Sequence, residues 1–243
     1  MIEKIEEECL CKILETGKNC PISLLYLETG QLPAKYQIQI MMLNFLKYIL
    51  DQEQDSLIFK FFKAQSENPI KGDWVTNIRK IMKEINMQET FEHITLMKKH
   101  IFKKHVIKKV RNKAFQYLLA QIKSKGKGIE YGEELKCQGY LLPNTILTLE
   151  EQREIFSYRS RMNKLSYNYK GNKIEEKCKC GLQITNEHLY YCKVLNNSNK
   201  TVEYSKIFNG RLCEMKYVIN ILKENHKKHE NFTQAQDISP SSR

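Results

Sequence analysis

The stretch AKYQIQIMMLNFLKYILDQ, residues 34–52, decides the fold class. It follows Pro33, contains neither proline nor glycine, and is long enough for about five helical turns. Apolar side chains cover more than half of the helical circumference, so the stretch predicts a helix that is buried and central. These side chains are Ile38, Ile40, Met41, Met42, Leu43, Phe45, Leu46, Ile49 and Leu50.

The rest of the chain carries the same helical signals. Its 243 residues include only 10 glycines and 5 prolines, and the composition is 41% hydrophobic and 28% charged. Few helix breakers in an ordinary globular composition favour helices over strands. We therefore predict a mainly α fold, with a helical bundle-like N-terminal part followed by a small α-rich part.

The best candidate for a linker between these parts is SKGKG, residues 124–128, because of its glycines and its charge. Its position predicts a helical domain over residues 1–123, which ends in a basic helix, and a second region over residues 124–229. Residues 230–243 are polar and are predicted to form a disordered tail.

The basic helix of the first domain holds nearly all of the excess charge. The net charge of the chain is +12, and residues 97–127 contain eleven Lys and Arg residues but no Asp or Glu. Such a segment attracts polyanions, nucleic acid first and an anionic membrane surface second. The alternative is a solvated, charged helix face. The candidate nucleic-acid contacts are Lys98, Lys99, Lys103, Lys104, Lys108, Lys109, Arg111 and Lys113.

The apolar and basic residues of this segment follow different periods. Apolar residues recur every four positions from Phe102 to Ile122, which favours a helix, whereas the lysine pairs recur every five. A five-residue step rotates by about 140° around a helix, so the lysines do not share one face. Either the helix breaks near His105, or the lysine side chains extend past the edge of the core.

The stretch CKCGLQITNEHLYYC, residues 178–192, has the order C-x-C-x7-H-x3-C. Three thiolates and one imidazole are the number of ligands that a structural zinc ion needs. Gly181 permits the positive φ of a tight turn, and Thr185 or Asn186 can cap a short helix. The predicted ligands of one structural Zn²⁺ are Cys178, Cys180, His188 and Cys192, which makes the second region a zinc-knuckle-containing region.

Two alternatives to a structural zinc site stay open. The cysteines can be ordinary thiols, and one residue between Cys178 and Cys180 is fewer than the usual two to four. A catalytic zinc would need an open position and a general base, for which Glu187 is the candidate. The lysines at 177, 179 and 193 are expected to lower the thiol pKa values.

Basic and aromatic residues alternate before this cluster, from YRSR at 158–161 to Lys170. This pattern suits phosphate contacts and base stacking on single strands. The alternative places Phe156 and Tyr158 in the core and the arginines at the helix C-terminus as caps. The candidate contacts here are Arg159, Arg161, Tyr167 and Lys170.

Residues 139–195 resemble the region that follows the polymerase domain in reverse transcriptases of non-LTR retrotransposons. The upstream stretch NCPISLLYLETGQLP, residues 19–33, is similar to the helical segment after the thumb in the same proteins. The resemblance implies a zinc-binding, nucleic-acid-binding module. It rests on Phe156, Arg159, Arg161, the four ligands, Glu187 before the histidine and Leu189-Tyr190-Tyr191 after it.

The catalytic part of that family is missing from this sequence. The family carries its metal-binding carboxylates in a motif with two adjacent aspartates, and no Asp-Asp pair occurs here. About fifty residues follow Cys192, too few for the nuclease domain that some members carry. The chain then corresponds to the post-polymerase, thumb-to-knuckle region alone, and we expect neither polymerase nor nuclease activity.

The expected function is therefore a zinc-stabilised module that binds RNA or DNA. The alternatives are a helical protein-interaction or structural subunit, whose partner would have an acidic surface, and a non-functional relic of a mobile element. The acidic N-terminus, MIEKIEEECLCKIL, is not a signal peptide, and no run of about 18 apolar residues predicts a membrane span. We expect no membrane partner and an intracellular location, nuclear or cytoplasmic.

Overall fold

The structure of the chain is a computed structural model that describes residues 2–16, 20–124, 135–160, 177–195 and 202–237. Within these residues it contains eleven α-helices and no β-strand, so the predicted mainly α fold is confirmed. The helices are α1 Ile2–Ile13, α2 Ile22–Thr29, α3 Ala34–Leu50, α4 Leu57–Glu67, α5 Trp74–Glu84, α6 Phe91–Leu96, α7 Lys99–Ser124, α8 Leu149–Arg159, α9 Asn186–Tyr191, α10 Lys206–Asn209 and α11 Leu212–Asp237.

The described residues form two compact units. The first comprises residues 2–8, 25–124 and 135–137, and the second comprises residues 9–16, 20–24, 138–160, 177–195 and 202–237. The end of α7 lies at the predicted boundary between residues 123 and 124, but residues 135–137 belong to the first unit and residues 20–24 to the second. Residues 9–16 group with the second unit and not with the predicted N-terminal domain. Within that unit Arg153 of α8 donates to the Ile13 carbonyl at 3.0 Å.

Helix α3 organises the first unit by packing against α4, α5, α6 and α7. Leu43 and Leu46 are fully buried, but Ile38 and Met41 are exposed, so the prediction that this helix is buried is wrong in part. One side of a helix with apolar residues all round still faces solvent when its neighbours cover only the other side. The covered side includes Lys47, whose Nζ lies 2.6 Å from the Asp51 carboxylate.

Helix α7 is continuous from Lys99 to Ser124, so the alternative in which it breaks near His105 is wrong. Its buried residues include the apolar residues of the predicted four-residue period, from Phe102 to Ile122. Because four residues exceed the 3.6 of one turn, this stripe winds around the helix, and the lysines extend from several sides.

Helix α11 of the second unit packs against α8, α9 and α10. A capping box begins α8, with Thr148 and Glu151 as its two members. Helix α11 continues to Asp237, so the predicted disordered tail is wrong for residues 230–237. Four of the eight residues of this segment are the helix formers Gln, Glu and Ala, and the next proline, Pro240, follows it. Residues 238–243 lie outside the described residues.

None of the described helices combines the length and the apolarity that crossing a bilayer requires.

Candidate metal centre and basic surface

Residues 178–192 fold as a tight turn followed by helix α9. The N–H of Gly181 donates to the Cys178 carbonyl at 2.7 Å, and Gly181 has a φ of +86°, the conformation that glycine at this position was expected to allow. The Thr185 hydroxyl accepts from the N–H of His188 at 2.9 Å and caps α9, which decides between the two predicted caps. The turn thus supplies Cys178 and Cys180, and α9 supplies His188 and leads into Cys192.

The four candidate ligand atoms, three sulfurs and one imidazole nitrogen, all lie within 4.8 Å of one another. The Sγ atoms of Cys178 and Cys192 are 3.6 Å apart, those of Cys180 and Cys192 are 4.0 Å apart, and Cys180 Sγ lies 3.4 Å from His188 Nε2. A tetrahedral ion with metal–sulfur bonds of about 2.3 Å separates its ligand atoms by roughly 3.7 Å. The cluster could therefore hold one metal ion.

The protonation of these ligands follows from their surroundings. Burial raises the pKa of the Cys178 thiol to about 11. A hydrogen bond from the backbone of Leu182 lowers the pKa of Cys180, and burial lowers the pKa of His188, which favours the neutral imidazole that metals bind. The expectation that flanking lysines lower the thiol pKa values is wrong for Cys178, because the dominant cause there is burial.

Two buried asparagines anchor helix α9. Asn186 Nδ2 donates to the Tyr158 carbonyl at 3.5 Å, and Asn225 Nδ2 donates to the Leu189 carbonyl at 2.7 Å. Sequence analysis missed both roles, because asparagine is usually exposed and Asn225 lies 36 residues away from Leu189. These bonds hold the helix that presents His188 beside α11.

Replacing Gly181 with alanine is expected to weaken metal binding about five- to thirtyfold, because a Cβ at positive φ costs about 1–2 kcal/mol. Competition with a chromophoric chelator measures the affinity. Gly72→Ala is the matched control, since Gly72 has a φ of +93°, lies outside the cluster, and would place its Cβ in open space as Gly181 would. Equal affinities of the two variants would contradict the role assigned to Gly181.

Arg159, a predicted nucleic-acid contact, is only 1% exposed. Its Nη1 donates to the carbonyls of Ile207 at 2.6 Å and Phe208 at 2.7 Å, and its guanidinium lies 5.5 Å from the centre of the Tyr140 ring. This placement contradicts the predicted phosphate contact. It agrees with the alternative in which Phe156 and Tyr158 belong to the core, as both are buried. The other three residues predicted there, Arg161, Tyr167 and Lys170, lie outside the described residues.

The predicted basic surface of the first unit is solvent-accessible at six of its eight positions. No carboxylate lies within 4.0 Å of any of these six ammonium groups in the part of the chain that the structure describes. We call this set the lysine surface. Its members are Lys98, Lys99, Lys103, Lys104, Lys108 and Lys113.

The other two predicted contacts, Lys109 and Arg111, are half-buried and bonded within the unit. Lys109 Nζ donates to the Asn86 carbonyl at 3.0 Å, and Arg111 Nη2 donates to the carbonyls of Gly30 at 3.2 Å and Leu135. Their cationic groups therefore hold loops of the first unit. Sequence analysis gave no signal for this difference, since the carbonyl partners are distant in the chain.

No family model matches this chain, and neither the curated proteins nor the solved structures contain a significant match.

Proposed function

We propose that the chain is a zinc-stabilised module that binds nucleic acid through the lysine surface. The ion proposed for Cys178, Cys180, His188 and Cys192 is Zn²⁺, because their ligand atoms lie within 4.8 Å of one another and because zinc is the ion that typically takes three thiolates and one imidazole as a tetrahedral ligand set. Four protein ligands leave no position for water or substrate, so the proposed role of the ion is structural.

One observation carries the nucleic-acid proposal: the six ammonium groups of the lysine surface extend into solvent without a carboxylate partner among the described residues. Five of these six lysines lie on α7, and Lys98 directly precedes it. Unneutralised cations so close together create a positive potential, which attracts a phosphate backbone and releases its counterions. These lysines lie on several sides of α7. We therefore propose that they contact a flexible nucleic-acid strand, or a groove of the nucleic acid, and not a flat surface of it.

The resemblance to the C-terminal region of non-LTR retrotransposon reverse transcriptases belongs to the same proposal. It is supported by the closeness of the four ligand atoms and by the helical character of both units. The proposed function includes no polymerase or nuclease step, since the sequence lacks the paired aspartates of that family.

The test is a variant in which Lys99, Lys103, Lys104 and Lys108 are replaced with alanine. Its affinity for a fluorescent RNA or DNA oligonucleotide, measured by anisotropy, is expected to fall at least about tenfold near 0.1 M salt. The slope of log K against log salt is expected to become shallower by roughly 3, because each lost phosphate contact removes about 0.7–0.9.

The matched control replaces Lys60, Lys63, Lys71 and Lys80, four exposed lysines of the same unit outside α7, and removes the same charge. The control is expected to retain most of the wild-type affinity and slope. Equal losses of affinity in both variants would show that net charge alone explains the effect. Unchanged affinity in the α7 variant would refute the proposed surface.

A second function, protein interaction, is favoured by one further observation. Ile38, Met41, Phe45 and Tyr48 are 45–69% exposed and follow one another at helical spacing along α3. Such a stripe fits the apolar face of a partner helix. Pulldown after nuclease treatment distinguishes the two functions. Protein partners that bind the wild-type chain but not an Ile38→Lys, Met41→Glu variant would favour protein interaction.

A further inference from the structure

We infer that the first unit contains a pocket for one unpaired nucleobase beside the lysine surface. This inference rests on the proposed function and names the part of a single strand that the site would recognise. The pocket is a cleft of about 480 Å³ between the end of α5 and the beginning of α6, lined in part by Arg79, Met82, Met87 and Phe91.

Part of the cleft lining is apolar. Met82 and Met87 in this lining are buried, and Phe91 is half-buried. The Arg79 guanidinium lies 5.5 Å from the centre of the Phe91 ring. Aromatic rings and guanidinium planes are the groups on which proteins stack unpaired bases.

The rim of the cleft offers hydrogen-bonding groups for a base edge. Asn86 and Gln88 are exposed residues of the cleft lining, and their side-chain amides have no hydrogen-bond partner among the residues that the structure describes. An amide carries both a donor and an acceptor, as the edges of nucleobases do.

The charges around the cleft favour a base over a phosphate inside it. Arg79 and Lys83 bring two positive charges to the lining, and Glu89 and Glu92 bring two negative charges. An anion would gain little from such a balanced set. The uncompensated positive charge lies on the neighbouring lysine surface, so phosphates are expected there and the base in the cleft.

Two contacts join the cleft to α7 within the same unit. Lys109 Nζ donates to the carbonyl of Asn86 at 3.0 Å, and His105 Nε2 lies 2.9 Å from Glu89 Oε1. Lys104 and Lys108 each precede one of these two residues, about 100° away around the helix, and so flank the side of α7 that contacts the cleft. We expect a strand that contacts these lysines through its phosphates to place a base in the cleft.

The test compares a single-stranded oligonucleotide with a strand of equal length in which every position is abasic. The wild-type protein is expected to bind the strand with bases about five- to a hundredfold more tightly, the range for one stacked base. In an Arg79→Gln, Phe91→Leu variant this preference is expected to fall to less than about a third of its wild-type value, while affinity for the abasic strand falls no further than in a control variant that loses one positive charge outside the cleft.

The matched control is Lys80→Gln with Phe61→Leu, which makes similar changes at an exposed lysine and an exposed phenylalanine outside the cleft. A preference that stays at the wild-type level in the cleft variant, or a wild-type preference near one, would overturn the inference. If both strands still bound in a lysine-dependent way, the proposed function would stand without the inference. If neither strand bound, the proposed function and the inference would both be refuted.

A crosslink keeps the inference testable if the cleft variant fails to fold, because Phe91 also packs against Phe62 at a ring separation of 5.2 Å. A strand that carries 5-iodouracil is irradiated with the wild-type protein, and the adduct is located by mass spectrometry. An adduct on Met82, Met87 or Phe91 supports the inference, and adducts found only outside residues 79–92 overturn it.

Discussion

Replacing Cys192 with serine is expected to abolish metal binding and to unfold residues 177–195. Structural zinc sites contribute about 10–16 kcal/mol of apparent binding free energy that is coupled to folding, and three remaining ligands cannot close the site. The loss of folded structure is expected to extend to the neighbouring core, because Leu189 and Tyr190 of α9 are fully buried. Thermal unfolding followed by circular dichroism should show a lower midpoint.

Cys213→Ser is the matched control, since Cys213 is an exposed cysteine on α11 in the same unit. It is expected to keep the metal content and the unfolding midpoint of the wild-type protein. A Cys192→Ser protein that matches this control in both measurements would show that the four residues do not form a folding-coupled site.

Replacing Arg159 with methionine is expected to destabilise the second unit by about 2–6 kcal/mol. The substitution leaves the carbonyls of Ile207, which is buried, and Phe208, which is half-buried, without their Arg159 donor, and each unsatisfied buried group costs about 1–3 kcal/mol. It also removes the guanidinium from the Tyr140 and Phe208 rings, whose centres lie 5.5 and 5.7 Å away. Urea unfolding measures the free energy of unfolding of the variant.

Arg211→Met provides the comparison, because the Arg211 side chain is 84% exposed and belongs to the same unit. Its substitution is expected to change the free energy of unfolding by less than about 0.5 kcal/mol. Arg159→Lys is also expected to lower the free energy of unfolding, since an ammonium lacks the planar fork that reaches both carbonyls. Similar stabilities of the Arg159 and Arg211 variants would contradict the structural role of Arg159.

The local features of the fold could be predicted from the sequence, because their signals lie within a few residues. The spacing of Cys178, Cys180, His188 and Cys192, the glycine at 181 and the cap at 185 all concern one turn and one short helix. The buried stripe of α7 could be predicted for the same reason, as a repeat of four residues is read directly along a helix.

The roles that depend on distant partners could not be predicted. Arg159 looks like any arginine near a helix end, and only the carbonyls some 48 residues later show that it is buried. Lys109 belongs to the same lysine repeat as Lys108, yet its carbonyl partner at Asn86 makes it a structural contact. The exposure of Ile38 on α3 likewise depends on which side of that helix its neighbours cover.

The claim that four side chains hold one zinc ion in a closed site is tested most directly by the metal content of the purified wild-type protein. Mass spectrometry of the metals after gel filtration, with protein concentration from amino-acid analysis, is expected to give about one zinc per chain. Exchange for cobalt should produce the intense visible absorption of a tetrahedral thiolate site. A folded protein without stoichiometric metal that binds neither ion would contradict the claim.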